Sequence, residues 1–392
     1  MAGPLEGFRV LDFAQMMQGP WAAQMLGDMG ADVIKVEVPG VGERGRNSGH
    51  YSKGGQKLMF LAMNRNKRSL TLNLKAPEGI SIALKLIATA DVMIENFRPG
   101  VMDRLGLGYA RIKEVNPRII YGSATGYGGE GPYSKKKGQD LLAQALSGLL
   151  SLSGGPGEPP TPAGTFVADQ HSASLLAYGI ALALLHRERT GAGQRVEVDL
   201  LSSTVDLQPQ ELAAFWNADA PITRSSERGH VHLGGPYGVF RARDGYFVLA
   251  EIPLKDLGAA LGLPHLAEKY VDRGVAYQRR DELKAEIEPV LATRPVAEWI
   301  QEFEARDGWC APVLTYDELA ANPQLEVNGM LQEFEHPSSG TIRVTGIPVR
   351  MSSTPGSIRV PPPLVGEHSE EILTEVGYSA QEISAFRRAG VI

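Results

Sequence analysis

Asp169 stands immediately before a long helix pattern, and a carboxylate there has two readings. As an N-cap it would accept the free N–H groups of the first helical turn. The same N–H groups and the helix dipole would also favour its ionised form, the state in which a carboxylate attacks as a nucleophile. His171 follows within one turn and is either a supporting group or an ordinary helix residue. Two basic clusters, Arg65, Lys67, Arg68 and Lys75, then Lys135, Lys136 and Lys137, lie beside expected strand-end loops. Each is either a solvated face or a holder of phosphates. In the loop Asn96-Phe97-Arg98-Pro99-Gly100, Arg98 offers a planar donor fork for phosphate or carboxylate and Phe97 a face for an adenine; the alternative is a plain polar loop.

Other chemistries are disfavoured. A G-x-G-x-x-G match spans Gly126 to Gly131, but Pro132-Tyr133-Ser134 and lysines follow it where a dinucleotide fingerprint needs a helix. The first strand–helix junction, Gln18-Gly19-Pro20, lacks that fingerprint, although a helix start there still favours an anion. Gly122 to Gly126 is not a nucleophile elbow, since Ser123 is out of place. His230 and His232 have no third ligand at a recognisable spacing, so no metal is expected. Cys310, the single cysteine, reads as a packed thiol; an intrachain disulfide is impossible, which fits a reducing compartment. The 392 residues are 43% hydrophobic and 21% charged, with a net charge of −6, a soluble balance that asks for no nucleic acid. The first ten residues carry no signal-peptide pattern, and the longest apolar stretch, Ala173 to Leu185, is too short for a bilayer. A cytoplasmic protein without a membrane span is expected.

The elements that position these residues alternate between strand and helix. Strands are expected at Phe8–Asp12, Ala31–Glu37, Leu70–Leu74, Asp91–Ile94, Arg118–Tyr121 and Val196–Leu201. Helices are expected at Pro20–Met29, Pro77–Ala90, Asp140–Leu152 and from about Gln170 to Arg189, stopped by Gly191. Such alternation predicts an α/β fold with a parallel sheet covered on both faces. Residues 154–164 form a Gly/Pro loop, and residues 207–236 lose the rhythm. A smaller unit over 237–325 begins with a hairpin, Tyr237–Ala250, turning at Asp244-Gly245. Residues 326–350 read as extended strands, and the tail ends in a helix.

In order along the chain, VLDFAQMMQGPWAAQMLGDMGADVIKVE, NRNKRSLTLNLK, DVMIENFRPGVMDRLGLGY, ATGYGGEGPY and PPPLVGEH resemble the family III CoA-transferases. This is the formyl-CoA transferase and carnitine CoA-transferase family, which includes the α-methylacyl-CoA racemases. The resemblance implies a Rossmann-like large domain with a parallel sheet, made from residues 1–206 and 326–392. It also implies a linker at 207–236, a smaller α+β domain at 237–325, and an interlocked homodimer whose active site joins the large domain of one chain to the small domain of the other. The implied activity moves coenzyme A from an acyl-CoA substrate to a small carboxylate acceptor, without metal or NAD. The family's nucleophile falls on Asp169. Its CoA-binding segments fall on Met17, Gln18, Leu72, Asn73, Leu74, Lys75, Asn96, Phe97, Arg98, Arg104, Lys136, Lys137, Gly138 and Gln139. Gly234, Gly235 and Pro236 resemble the family's acceptor-side glycine loop, with His230, His232, Arg228 and Tyr237 nearby. A basic residue usual after the second strand is Val38 here, for which Arg44 or Arg46 could substitute. The alternatives are a racemase or a non-catalytic CoA-binding protein. Racemases carry Gly-His-Asp where this chain has Gly138-Gln139-Asp140, and glutamine has no titrating group to move an α-proton.

Overall fold

The computed structural model describes residues 3–218 and 221–392, which form two compact units. The first gathers residues up to Ala143, Thr165–Thr204 and Pro323–Ile392; the second gathers Gln144–Gly164 and Val205–Asn322. Residues 144–164 thus cluster with the second unit, although they lie inside the stretch 1–206.

In the first unit six strands make one parallel sheet: β1 (Arg9–Asp12), β2 (Asp32–Glu37), β3 (Lys67–Thr71), β4 (Val92–Glu95), β5 (Ile120–Thr125) and β6 (Arg195–Asp199). Their spatial order is β3-β2-β1-β4-β5-β6, a doubly wound, Rossmann-like arrangement whose direction of winding reverses between β1 and β4. The helices used below are α1 (Gln18–Asp28), α2 (Pro77–Ile87), α3 (Asp140–Leu146) and α4 (Val167–Thr190). Alternate strand residues face opposite ways, so a sheet buried on both sides needs near-continuous apolar strands. Val10, Val33, Val92 and Ile120 accordingly pack with α1 and α4, while Leu11, Ile34, Leu70 and Met93 pack with α2.

The C-terminal residues return to the edge strand β3. Asn66 N–H donates to the Val360 carbonyl (3.0 Å), His368 N–H to the Ser69 carbonyl (3.0 Å) and Asn73 N–H to the Val391 carbonyl (2.7 Å). Thr71 N–H donates to Ser369 Oγ at 3.2 Å. Helices α5 (Ser369–Glu375) and α6 (Ala380–Arg388) complete this cover. Within 326–350, read as extended strands, Leu331–His336 pairs antiparallel with Gly340–Thr345 as a hairpin, while the first residues of that range, up to Val327, end a helix.

The second unit holds a three-stranded antiparallel sheet of Gly238–Arg241, Tyr246–Glu251 and Trp309–Pro312. Its first two strands are the expected hairpin. Phe240, Phe247, Trp299 and Phe303 fill the core, with the Trp299 and Phe303 rings stacked 5.5 Å apart.

Several expected boundaries move. The third strand begins at Lys67 rather than Leu70, because the β2 register runs Val33 opposite Lys67 to Glu37 opposite Thr71. The helix expected over Asp140–Leu152 breaks after Leu146, where Gly148 takes the left-handed conformation (φ 85°). Leu200 and Leu201, expected as strand, begin a helix that runs to Asp206. The polar stretch 207–236 contains a helix, Pro209–Ala218; its residues 219 and 220 lie outside the described residues. No helix among the described residues is long and apolar enough to cross a membrane.

Candidate active site

Asp169 does not cap its helix. It lies inside the first turn of α4, and the N-cap position is Phe166, whose side chain accepts nothing. The cap comes from another segment: Asp140 Oδ1 accepts the N–H groups of Ala168 (2.7 Å) and Asp169 (3.1 Å). Asp140 is buried, at 2% exposure. Its place depends on two glycines that pass backbone to backbone. A Cβ on Gly138 would lie 2.4 Å from the Gly126 Cα, and a Cβ on Gly126 2.5 Å from the Gly138 Cα. The end of β5 and the Gly138-Gln139-Asp140 turn can therefore touch only as glycines.

The Asp169 carboxylate is half-buried and makes no hydrogen bond or ion pair among the described residues. Burial, and then the negative charge of Asp140, push it up to about 7. This corrects the expectation that the helix start keeps it readily ionised: the dipole's pull is outweighed by lost hydration and by a second carboxylate.

A second group of residues gathers where the sheet reverses direction. Asn96, after β4, accepts the Gln15 N–H on Oδ1 (2.8 Å) and donates Nδ2 to the Gln15 carbonyl (2.8 Å), tying the β4 loop to the β1 loop. At the start of α1, a Cβ on Gly19 would lie 2.2 Å from the Ala14 Cβ, so this turn requires glycine. Met17 and Gln18 are nearly buried there, Phe97 is half-buried against the core, and Arg98 is exposed. Ligands of open α/β sheets bind at such a reversal, beyond the carboxyl ends of the strands. Arg104 is exposed on the short helix that follows.

Along the sheet, Leu72 is buried, its N–H donating to the Glu37 carbonyl at 2.7 Å. Asn73 Oδ1 accepts the Lys75 N–H at 3.1 Å, Leu74 is half-buried and Lys75 is exposed. Beside them a cavity of about 370 Å³ is lined by Gly40, Thr71, Gly366, Ser369 and Arg387. Lys136, Lys137, Gly138 and Gln139 are exposed, with the Lys136 ammonium 3.7 Å from the Tyr133 ring centre.

Most of the first basic cluster is structural, which corrects both of its readings, a solvated face and a phosphate holder. Lys67 Nζ is buried and donates to Asp12 (2.8 Å), the Pro20 carbonyl (2.7 Å) and Asn64 (2.8 Å). Arg65 pairs with Asp28 at 2.7 Å, and Arg68 with Asp32 (2.7 Å), Glu371 (2.7 Å) and Glu375 (2.6 Å). Lys75 alone of the four is exposed. Arg46 is likewise committed, forked onto Glu37 at 2.7 and 2.6 Å, and is no substitute for a cation at Val38. Arg44 is exposed.

In the second unit, Gly235 and Pro236 are buried and Gly234 is half-buried. Glu227 grips this loop, accepting the N–H groups of Gly235 (3.2 Å) and Tyr237 (3.3 Å). Burial pushes Glu227 up to about 7, against those two hydrogen bonds and the charges of Arg280 and Lys284. His230 pairs with Glu211, Arg228 with Glu158, and His232 N–H donates to His230 Nδ1 at 3.1 Å. A cavity of about 230 Å³ lies among Ser153, Glu211, Arg228 and His230. Sequence reasoning missed Asp140 as the cap, Glu211 and Glu158 as partners, and Arg387 as a cavity residue. Each meets its partners from a distant segment, and no local pattern announces that.

Residues 5–369 match the family described as CoA-transferase family III. The chain is 37% identical over 397 residues to the succinyl-CoA:glutarate CoA-transferase of Mus musculus, covering 99% of this chain and 90% of that one. It is 34% identical over 414 residues to the formyl-CoA:oxalate CoA-transferase of Streptomyces coelicolor, covering 100% of both. Among solved structures, a CAIB/BAIF family protein from Brucella suis superposes with a TM-score of 0.85 at 30% identity, over 96% of this chain and 100% of that one. With a Rossmann-like sheet, a carboxylate at a helix start and this full-length likeness together, the chain belongs to CoA-transferase family III and is a transferase.

Proposed function

We propose that this enzyme moves coenzyme A from an acyl-CoA to a free carboxylic acid, with Asp169 as the covalent nucleophile. The observation that carries this reading is the state of Asp169. A half-buried carboxylate at a helix start, raised to about 7 by burial and by a second carboxylate, supports a functional role. Its oxygen attacks the thioester carbonyl carbon, the C–S bond breaks, and CoA thiolate leaves a mixed anhydride behind. The thiolate attacks the aspartyl carbonyl and the donor carboxylate leaves, giving an aspartyl-CoA thioester. The acceptor carboxylate attacks that thioester and displaces the thiolate. The thiolate then attacks the acceptor acyl carbon and returns Asp169 as a carboxylate. Each step exchanges one anion for another, so no net proton is required, and one hard acyl exchange becomes several easier ones. No metal and no nicotinamide enters the scheme.

For CoA we assign Met17, Gln18, the main chain of Leu72 to Lys75, Asn96, Phe97, Arg98, Arg104 and the run Lys136 to Gln139. Support comes from the sheet reversal that gathers the first and third of these groups, and from the exposure of Lys75, Arg98, Arg104 and Lys136. Arg98→Ala is expected to raise KM for acyl-CoA about tenfold with little change in kcat, since a charge-assisted bond to phosphate contributes ~1.5–3 kcal/mol. Gly138→Ala is expected to cost about 1–3 kcal/mol of stability, measured by urea unfolding, because the added Cβ meets the Gly126 backbone at 2.4 Å. It should also lower exchange by displacing Asp140.

The acceptor is a small carboxylate near Gly234, Gly235 and Pro236; the names of the relatives suggest short dicarboxylic acids. We further propose the domain plan 1–206 with 326–392, a linker at 207–236, a small domain at 237–325, and an interlocked homodimer, which light scattering would report. The test of the mechanism is hydroxylamine added during turnover with succinyl-CoA and glutarate. A hydroxamate at residue 169 is expected; full turnover with residue 169 unmodified overturns the covalent scheme. Proton exchange at the acyl α-carbon in heavy water, without an acceptor acid, would instead identify a racemase.

A further inference from the structure

We propose that Asp140 is a positioning residue for Asp169: it fixes the peptide that carries the nucleophile and, through its charge, sets the pH range over which that nucleophile attacks. The proposal rests on Asp169 being the nucleophile, as argued above. Its basis is geometric. One buried carboxylate oxygen holds two consecutive N–H groups, of Ala168 at 2.7 Å and of Asp169 itself at 3.1 Å. Nothing on the helix's own entry residue performs this task, since the Phe166 side chain makes no cap. Asp140 is in turn anchored by the Gly126–Gly138 backbone contact. The nucleophile is therefore referenced to the end of β5 through a carboxylate, where a serine or threonine cap could have satisfied the same N–H groups without charge.

That charge acts on Asp169. The titratable groups on elements packed against α4 include Asp28 on α1, Tyr121 on β5, Arg195, Glu197 and Asp199 on β6, and Asp206 on the helix whose Leu200 packs with Ala168. None of them acts on the Asp169 carboxylate, whereas Asp140 does. His171, two residues along the same helix, is not among the groups that shift Asp169. The Asp140 carboxylate beside the same helix start disfavours the ionised form of Asp169. An anion that is harder to form is also the more reactive nucleophile once formed, so the neighbouring charge costs ionisation at low pH and raises attack at high pH.

The experiment is the pH dependence of kcat/KM for CoA exchange between succinyl-CoA and glutarate, in wild type, Asp140→Asn and Asp140→Ser. Both variants keep an acceptor for the two N–H groups and remove the charge. Wild-type activity is expected to rise with pH through about 7. In both variants that limb moves down by roughly one pH unit, so the rate at pH 6, as a fraction of its plateau, rises about fivefold. A residue with a merely structural role would lower the plateau and leave the limb in place. A folded variant whose limb does not move overturns the proposal. So does a wild-type limb in the ordinary carboxylate range near ~4, a measurement that needs no variant. Failure of the underlying reading is separate: Asp169→Ala would then retain exchange. An inactive Asp169→Ala together with an unmoved limb in Asp140→Asn refutes the positioning role alone.

Discussion

Asp169→Ala is expected to lower CoA exchange at least about a thousandfold while leaving acyl-CoA affinity nearly unchanged. Alanine removes the atom that forms the bond, and no carboxylate on the same turn can replace it, because Asp140 is buried and holds the helix start. The measurement is exchange between succinyl-CoA and free glutarate, with binding followed separately. Loss of affinity without loss of kcat would assign Asp169 to binding instead. Asp169→Asn adds a thermodynamic check. A carboxyl raised to about 7 binds its proton more tightly folded than unfolded, so its contribution to stability falls as pH rises from the ordinary carboxylate range through 7. Above that range the wild type carries an unpartnered, half-buried charge. The asparagine variant is therefore expected to be inactive yet more stable at pH 8, by about 1–3 kcal/mol in urea unfolding.

Asp12→Ala is expected to cost at least about 3–5 kcal/mol and to leave little folded protein at 37 °C. Asp12, at the end of β1, is fully buried and receives two ammonium groups, Lys35 at 3.3 Å and Lys67 at 2.8 Å. Removing the carboxylate that both ammonium groups touch leaves two cations close together in the interior, with Glu43 as a more distant anion. Urea unfolding of the variant checks this, and a cost below 1 kcal/mol would show that water or another anion reaches the cluster. The pH response has a definite sign. Burial, with the charge of Lys35, holds Lys67 down at about 8, below the usual lysine value of 10.5. Between those two values the unfolded chain binds the proton more tightly, so this residue's contribution to stability improves as pH rises through that window.

The sheet was legible in the sequence because its strands are short apolar runs buried on both sides, and DVIKVE can hardly be anything else. The β3 boundary was not. Lys67 and Arg68 look like surface residues until Asp12 and Asp32, far away in sequence, are seen to receive them. The same reason hid the true roles of Arg65 and Arg46. Within the candidate site, Asp169 was visible as a carboxylate at a helix start, but its cap was not, because Asp140 reaches it across 28 and 29 residues. The break at Gly148 was also missed: leucines on both sides continue a helical pattern that the backbone does not follow. Pattern reports what one segment wants to bury. It is silent on which distant charge will meet it.

The edge strand β3 is hydrogen-bonded on its open side by His368 and Ser369, and Asn66 just before it by Val360. During synthesis this has a consequence for the order of events. The sheet can assemble from β1 to β6 once about 200 residues have emerged, but its outer edge stays bare until the ribosome has passed residue 369. For that interval the nascent chain presents an unpaired strand, the kind of edge that recruits other chains. The first two residues of β3, Lys67 and Arg68, are cationic, and Lys67 draws partners from β1 and α1 rather than from the late segment. Part of the edge is thus committed inward early, and the final seventy residues act as a closing strap rather than as a separate appendage.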